Sequence, residues 1–258
     1  MAISKQDLVV ALGCTGLLLV TLGAVGSGGR RRAKEAVCLS NLRQWGVMFE
    51  MFTNDNDGYF NPGWDVGETT LWMNALRPYY GDNWNLLFCP TATSTVGSPG
   101  DFGVFKAWYR DVDLPGGGQH RYASSYGINS WTNNMTRDRG SRLEEWFWKN
   151  VRGVEGSNNI PVFADSVWHD AWPREYDFPP ASSGGWPGGS SDMMQFCIDR
   201  HNGAINGLFM DSSARKIGLK ELWTLKWHRN FDTEGPWTKA GGVTPADWPQ
   251  WMWRFKDY

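Results

Sequence analysis

LVVALGCTGLLLVTLGAV, residues 8–25, carries no charge, and it runs through GSGG (26–29) and RRRAK (30–34) into EAVCLSNLRQWGVMFEMF (35–52). At helical rise the apolar part covers about 27 Å, close to the hydrocarbon thickness of a bilayer. In the second part Cys38, Leu42, Trp45, Phe49 and Phe52 recur at steps of four and three, which puts them on one helical face. The pattern predicts an apolar stem over 1–29 and a globular head over 30–258 whose own spine helix is 30–53. Inside the stem, Gly16 and Gly23 lie seven residues apart on one face, where small side chains let helices approach closely.

The bulk numbers narrow the choices. The 258-residue chain has a net charge of −2, so it lacks the basic footprint of a nucleic-acid binder. Mean hydropathy is −0.46, which describes a water-compatible head despite the stem. Glycine (31) and tryptophan (17) stand out. The glycines gather at 116–118, 182–189 and 241–242, which read as loops. The tryptophans have two readings: rings that pin loops into a core, or exposed rings for subunit contacts or stacking on sugars. Trp248, Trp251 and Trp253 are the candidates for an exposed patch.

Four cysteines are present: Cys14 in the stem, Cys38 on the spine stripe, Cys89 in a Cys-Pro turn, and Cys197. Outside the cytoplasm oxidation is allowed, and Cys38–Cys89 is the favoured disulfide, stapling spine to head. The alternative is two reduced, buried thiols. No C-x-x-C occurs, so neither a zinc knuckle nor a thioredoxin-like site is indicated.

Beyond the spine, which should stop over 53–58 at Gly58, the pattern gives short helices over 71–80, 142–151 and 219–229. Strands are expected at 125–131, 160–164, 195–200, 204–210 and 213–217. The result is an α+β fold, a long N-terminal helix on a mainly antiparallel sheet. Asp55 and Asp57, in Asp-Asn-Asp-Gly, look like a fragment of a calcium loop, and calcium is the cofactor they would take. Position twelve of such a loop is Val66 rather than Glu, so a helix stop is the leading reading. Asp165, His201 and Asp211 should converge through strand pairing, as a structural polar network in preference to a catalytic one. No Gly-x-Ser-x-Gly elbow, Walker loop or H-E-x-x-H motif accompanies them, and no enzyme is expected.

The N-terminus admits a secretory signal, with Ala24-Val25-Gly26 as a cleavage site, or a plain anchor. For an anchor, Arg30, Arg31, Arg32 and Lys34 would hold the head in the cytoplasm. A third reading comes from resemblance. Cys38, Asn41, Leu42, Arg43 and Gln44, then Asp55, Asn56, Asp57, Gly58 and Tyr59, resemble the spine of type IV pilin-like, prepilin-type (pseudopilin) proteins. A late His, nine residues, then Asp, here His201 and Asp211, is similar to a second motif of that group; Cys89-Pro90, SYGIN (125–129) and IPVFADS (160–166) lie between. Three departures stand out. No Gly precedes Ile3, Asp7 occupies the place of the family glutamate, and Ser212 follows Asp211 where the group has Gly.

The resemblance implies a pilin-like fold and a structural subunit of a type IV pilus-like or type II secretion pseudopilus-like filament. Its partners would be copies of itself, the assembly machinery and, before assembly, the inner membrane. Its destination would be a periplasmic or extracellular filament. It implies that Asp7 pairs with the N-terminal amine of a neighbouring subunit. A membrane-anchored module that binds carbohydrate or another envelope polymer through exposed tryptophans is the alternative.

Overall fold

The computed structural model describes residues 5–81, 83–92, 94–95, 102–184 and 191–258, with backbone alone for 5–25, 27 and 95. Helix α1 (Lys5–Asp55) is 51 residues long, about 76 Å at helical rise, and it runs unbroken through GSGG. A Cβ added at Gly26, Gly28 or Gly29 would meet nothing within 4 Å. Among the described residues no helix is long and apolar enough to cross a membrane. The side chains of 8–25, with Asp7, Cys14, Gly16 and Gly23, lie outside the described residues, and with them the stem expectations.

The amphipathic stripe does what its spacing requires. Cys38, Leu42 and Trp45 are fully buried, and Phe49 and Phe52 nearly so. Each such ring or aliphatic chain contributes about 1.5–3 kcal/mol by leaving water. The helix stops where the backbone turns left-handed at Asp57 (φ 55°) and Gly58 (φ 88°). The Gly58 N–H there donates to Thr53 O at 2.7 Å. A Cβ at Gly58 would meet the Asn150 and Arg152 side chains, so this position admits only glycine.

Two four-residue helices follow, α2 (Trp72–Ala75) and α3 (Arg77–Tyr80). Strands β1 (Ser94–Thr95), β2 (Lys106–Asp113) and β3 (Gln119–Ser124) form a small sheet, β1 parallel and β3 antiparallel to β2. The main sheet has the order β6-β4-β5-β7-β8. It is built from β4 (Tyr126–Asn129), β5 (Pro161–Asp165), β6 (Asp170–Ala171), β7 (Ala204–Phe209) and β8 (Ala214–Gly218). All its pairs are antiparallel except β4 with β6.

Helix α1 lies against β7 and β8, and the main sheet separates two cores. Alternation along β7 sorts the side chains: Leu208 joins the helix-side core, while Ile205 and Phe209 enter the other. On the helix side Phe163 is ringed by Trp72, Trp45 and Tyr126, centroids 4.9, 5.1 and 5.7 Å away. Gly46 allows the close approach, since a Cβ there would sit 3.0 Å from Leu208 Cδ1.

The opposite layer is built from loops and 3₁₀ turns held by indoles. Trp131 Nε1 donates to Pro173 O at 2.8 Å, Trp223 Nε1 to Asp177 O at 2.7 Å, and Trp227 Nε1 to Leu222 O at 2.7 Å. Ring area and the polar N–H together fix segments that lack ladders of their own. Of the three tryptophans expected in an exposed patch, Trp248 is buried against Trp223 and Trp237, Trp251 is half-buried, and Trp253 is exposed.

Three expected elements differ. Segment 142–151 is not a helix but holds the 3₁₀ turn Glu144–Trp146, because Phe147 and Trp148 are buried in succession and Lys149 turns left-handed at φ 62°. Segment 219–229 forms the 3₁₀ turn Lys220–Thr224 and then extends, since Leu222, Trp223, Leu225 and Trp227 are all buried, wider than one helical face. Segment 195–200 is not a strand; the 3₁₀ turn Asp192–Gln195 precedes it.

At the turn between β7 and β8, Asp211 Oδ1 accepts from the Ser213 N–H at 3.0 Å and from its hydroxyl at 2.6 Å. Ser212 there adopts φ 63°, a left-handed conformation that costs an L-residue about 1–2 kcal/mol. Ser212→Gly should therefore raise stability by about 0.5–1 kcal/mol, less than the full strain because glycine also loosens the unfolded chain. A urea midpoint that falls would contradict this.

Candidate functional site

Four distant segments meet beneath the spine. Helix α1 supplies Cys38. The 3₁₀ turn Trp84–Leu87 leads directly to Cys89, and α1 fixes that turn twice: Asn41 Nδ2 donates to Phe88 O at 3.0 Å and Trp45 Nε1 to Leu86 O at 2.7 Å. Strand β5 ends in Asp165, and the chain entering β7 contributes Arg200 and His201. The spacing Cys38, Asn41, Leu42, Trp45 is thus one helical face whose polar members hold the Cys89 turn and whose apolar members fill the core.

The geometry is tight. His201 Nε2 lies 3.0 Å from Asp165 Oδ2 and 3.4 Å from Cys89 Sγ. Cys38 Sγ is 3.7 and 3.8 Å from the two Asp165 oxygens. The Tyr126 hydroxyl donates to Cys38 Sγ at 3.3 Å, and Thr91 Oγ1 is 2.8 Å from Cys89 Sγ. Asn206 N–H donates to Asp165 Oδ2 at 2.9 Å. The Arg200 guanidinium is 3.1 Å from Asp165 Oδ1, and both side chains are fully buried. Arg200 also donates to the carbonyls of Val104, Ser125 and Ser166, so none of this buried charge goes unpaired.

The electrostatics follow from these contacts. Burial alone would raise Asp165. The hydrogen bond and charge of His201, the charge of Arg200 and the Asn206 N–H outweigh it and hold the carboxyl at about 2. Burial would lower His201, but Asp165 and Cys89 prevail and raise it to about 10. Burial also works against ionisation of Cys89; hydrogen bonds from Cys38 and His201 and the charge of Arg200 reverse it and lower the thiol. Cys38 is pushed up, chiefly by burial and then by Cys89 and Asp165.

The sequence-predicted residues divide accordingly. Asp165 and His201 meet. Asp211 does not join them: it caps the exposed turn at the far end of β7. Cys38 and Cys89 are brought together as free thiols, with no bond between them. Asp55 accepts from the Tyr79 hydroxyl at 2.9 Å, and Asp57 serves the end of α1, its carbonyl taking Asn150 Nδ2. Among the described residues, the cluster of metal-ligating type is Cys38, Cys89, Asp165 and His201, and neither Asp55 nor Asp57 belongs to it. Nor is this a nucleophile relay, which uses the two ring nitrogens for its two partners. Here one nitrogen faces both. Arg200 escaped the sequence reading; its sole signal was its position beside His201.

A second concentration of chemistry was also missed. A cavity of about 260 Å³ is lined by Trp64, Trp168, Trp172, Arg110, Arg142 and Asp170 among others. Arg110 pairs with Glu68 and lies 5.0 Å from the Trp64 ring centre, and Arg142 lies 4.1 Å from that of Trp172. Among the described residues, Arg110 Nε, Arg142 Nε, His169 Nδ1 and Trp172 Nε1, all in residues lining this cavity, have no hydrogen-bond partner. His169 Nδ1 is 3.1 Å from Asp170 Oδ1 but not aligned to bond it.

Burial raises Asp170 to about 6, against the opposing hydrogen bond from Trp64, and burial with the charge of Arg110 pushes neighbouring His169 well down. The signs oppose. In the folded head Asp170 takes up its proton more readily than when unfolded, so its contribution grows as pH falls from about 6 to about 4. His169 must stay neutral to remain folded, so it costs stability over the same descent. Asp170→Asn removes the first and leaves the second. The variant should lose stability faster than the parent from pH 6 to 4, by about 1–2 kcal/mol; parallel urea midpoints at each pH would refute this.

Compared with protein-family models, curated proteins and solved structures, the chain matches none of them.

Proposed function

We propose that this chain is a subunit of a pilus-like or pseudopilus-like filament, assembled through its leading helix. The observation that carries the reading is α1 itself. One helix of 51 residues joins the apolar sequence to the core; among its described side chains full burial begins at Cys38, and residues 29–34 are exposed. With the exposed stretch 29–34 between it and the core, the apolar sequence over 8–25 calls for a surface of its own. A membrane provides one before assembly and neighbouring stems provide one after it. Asp7, at the polar end of the stem, is then costly in an apolar surrounding unless paired, and a neighbour's N-terminal amine is the partner at that height.

The test is assembly of the full chain. Purified in detergent and then freed of it, the protein should form rods visible by negative stain, and Asp7→Ala should reduce them at least about tenfold, the effect of about 1.4 kcal/mol lost per contact. A solitary particle after detergent removal refutes the proposal.

One observation favours a second reading, an anchored module that binds a sugar or envelope polymer. The ring-lined cavity, just under the usual range of about 300–1,000 Å³ for small-ligand sites, combines aromatic faces with unpaired donors. It calls for a saccharide-dependent change in tryptophan fluorescence that Trp172→Ala abolishes. The two readings are compatible, since a filament subunit can carry a binding pocket.

A further inference from the structure

We propose that Cys38, Cys89, Asp165 and His201 form a structural zinc site that clamps the spine helix to the head. The four donor atoms, two sulfurs, one nitrogen and one carboxylate oxygen, all lie within 4.8 Å of one another and belong to buried residues. A tetrahedral zinc ion with ordinary bond lengths separates its ligands by about 3.3–3.8 Å. The distances here are 3.4 Å from Cys89 Sγ to His201 Nε2, 3.7 Å from Cys38 Sγ to Asp165 Oδ2, and 3.0 Å from Asp165 Oδ2 to His201 Nε2. The first two already fall in that range, the third widens by a few tenths of an ångström around a central ion, and every other donor pair lies within 4.8 Å. That ion takes the place of the proton between Nε2 and its two neighbours.

The donor chemistry selects the metal. Thiolate with imidazole suits zinc, whereas calcium and magnesium require oxygen. Charge agrees. Two thiolates, one carboxylate and a dication sum to −1, and the buried Arg200 guanidinium against Asp165 brings the whole to zero. The surroundings also support bound ligands. Tyr126 donates to Cys38 Sγ, and Asn206 N–H and Arg200 orient Asp165.

A disulfide between the two sulfurs is the competing use of the same cysteines. It would leave Asp165 and His201 without a reason to converge on them. The solvent-side approach is a cavity of about 680 Å³ whose lining includes His201, Arg30, Arg31, Lys34 and Lys216. This positive lining opposes entry of a dication, so the metal is acquired during folding and leaves slowly.

The test begins with the full chain purified in detergent without chelator. Elemental analysis should find about one zinc per chain. Cobalt supplied during refolding should give a thiolate-to-cobalt charge-transfer band. Chelator under denaturing conditions should free both thiols for alkylation without reductant. His201→Asn and Cys38→Ser should each lower zinc content at least about tenfold. Should these variants fail to fold, the metal content and thiol state of the unaltered chain decide the matter. The proposal is overturned if that chain holds no zinc, if Cys38 and Cys89 come out joined by a disulfide, or if folded His201→Asn keeps its zinc.

Discussion

Asp165→Asn is expected to destabilise the head by about 3–5 kcal/mol, the scale seen when one partner of a buried ion pair is removed. The substitution keeps the shape and deletes the charge. It leaves Arg200 fully buried, without the carboxylate 3.1 Å away that neutralises it. It also weakens the acceptor for the Asn206 N–H and for His201. Against a typical total of about 5–15 kcal/mol this is a large share. Urea unfolding followed by tryptophan fluorescence reads it directly. Arg200→Met on the same background should recover part of the loss, because the uncompensated charge leaves with it; a double variant no better than the single one contradicts the charge argument.

Trp45→Ala carries a comparable expectation, about 3–5 kcal/mol from lost burial and the cavity left behind. Trp45 is fully buried, meets Trp72, Tyr80 and Phe163 at 5.5, 5.3 and 5.1 Å between centroids, and donates its indole N–H to Leu86 O. The alanine variant removes both the ring and the peg holding the turn before Cys89. Limited proteolysis should therefore cut near residues 84–92 in the variant while the parent resists there. Equal resistance would show that α1 is held to the head by other contacts.

The spine and main sheet were legible because periodicity governs them. Steps of three and four marked the buried face of α1, short apolar runs marked β5 and β7, and the Asp-Ser-Ser turn marked β8 as the second arm of a hairpin. Hairpin β2–β3 went unassigned, since of its exposed and buried residues only a minority are aliphatic and its Gly116–Gly118 turn read simply as loop. The helices expected over 142–151 and 219–229 failed for one reason. Tryptophan-rich segments there are buried on several sides, and tertiary packing overrides local preference. At the site, Asp165 and His201 could be paired from strand order. Arg200 and the nearness of Cys89 to both depended on how the Cys-Pro turn docks under α1. Asp211 was misplaced because a motif spacing of ten residues spans the full length of β7 and so separates its ends.

The clamp beneath the spine joins residues 38, 89, 165 and 201, so it cannot close until most of the chain has left the ribosome. Contacts this far apart in sequence form late and slowly. During synthesis the leading helix is therefore loose from the body that will hold it. Under the filament proposal, its apolar sequence would then be free to meet a bilayer before the remaining strands arrive to shut the lock.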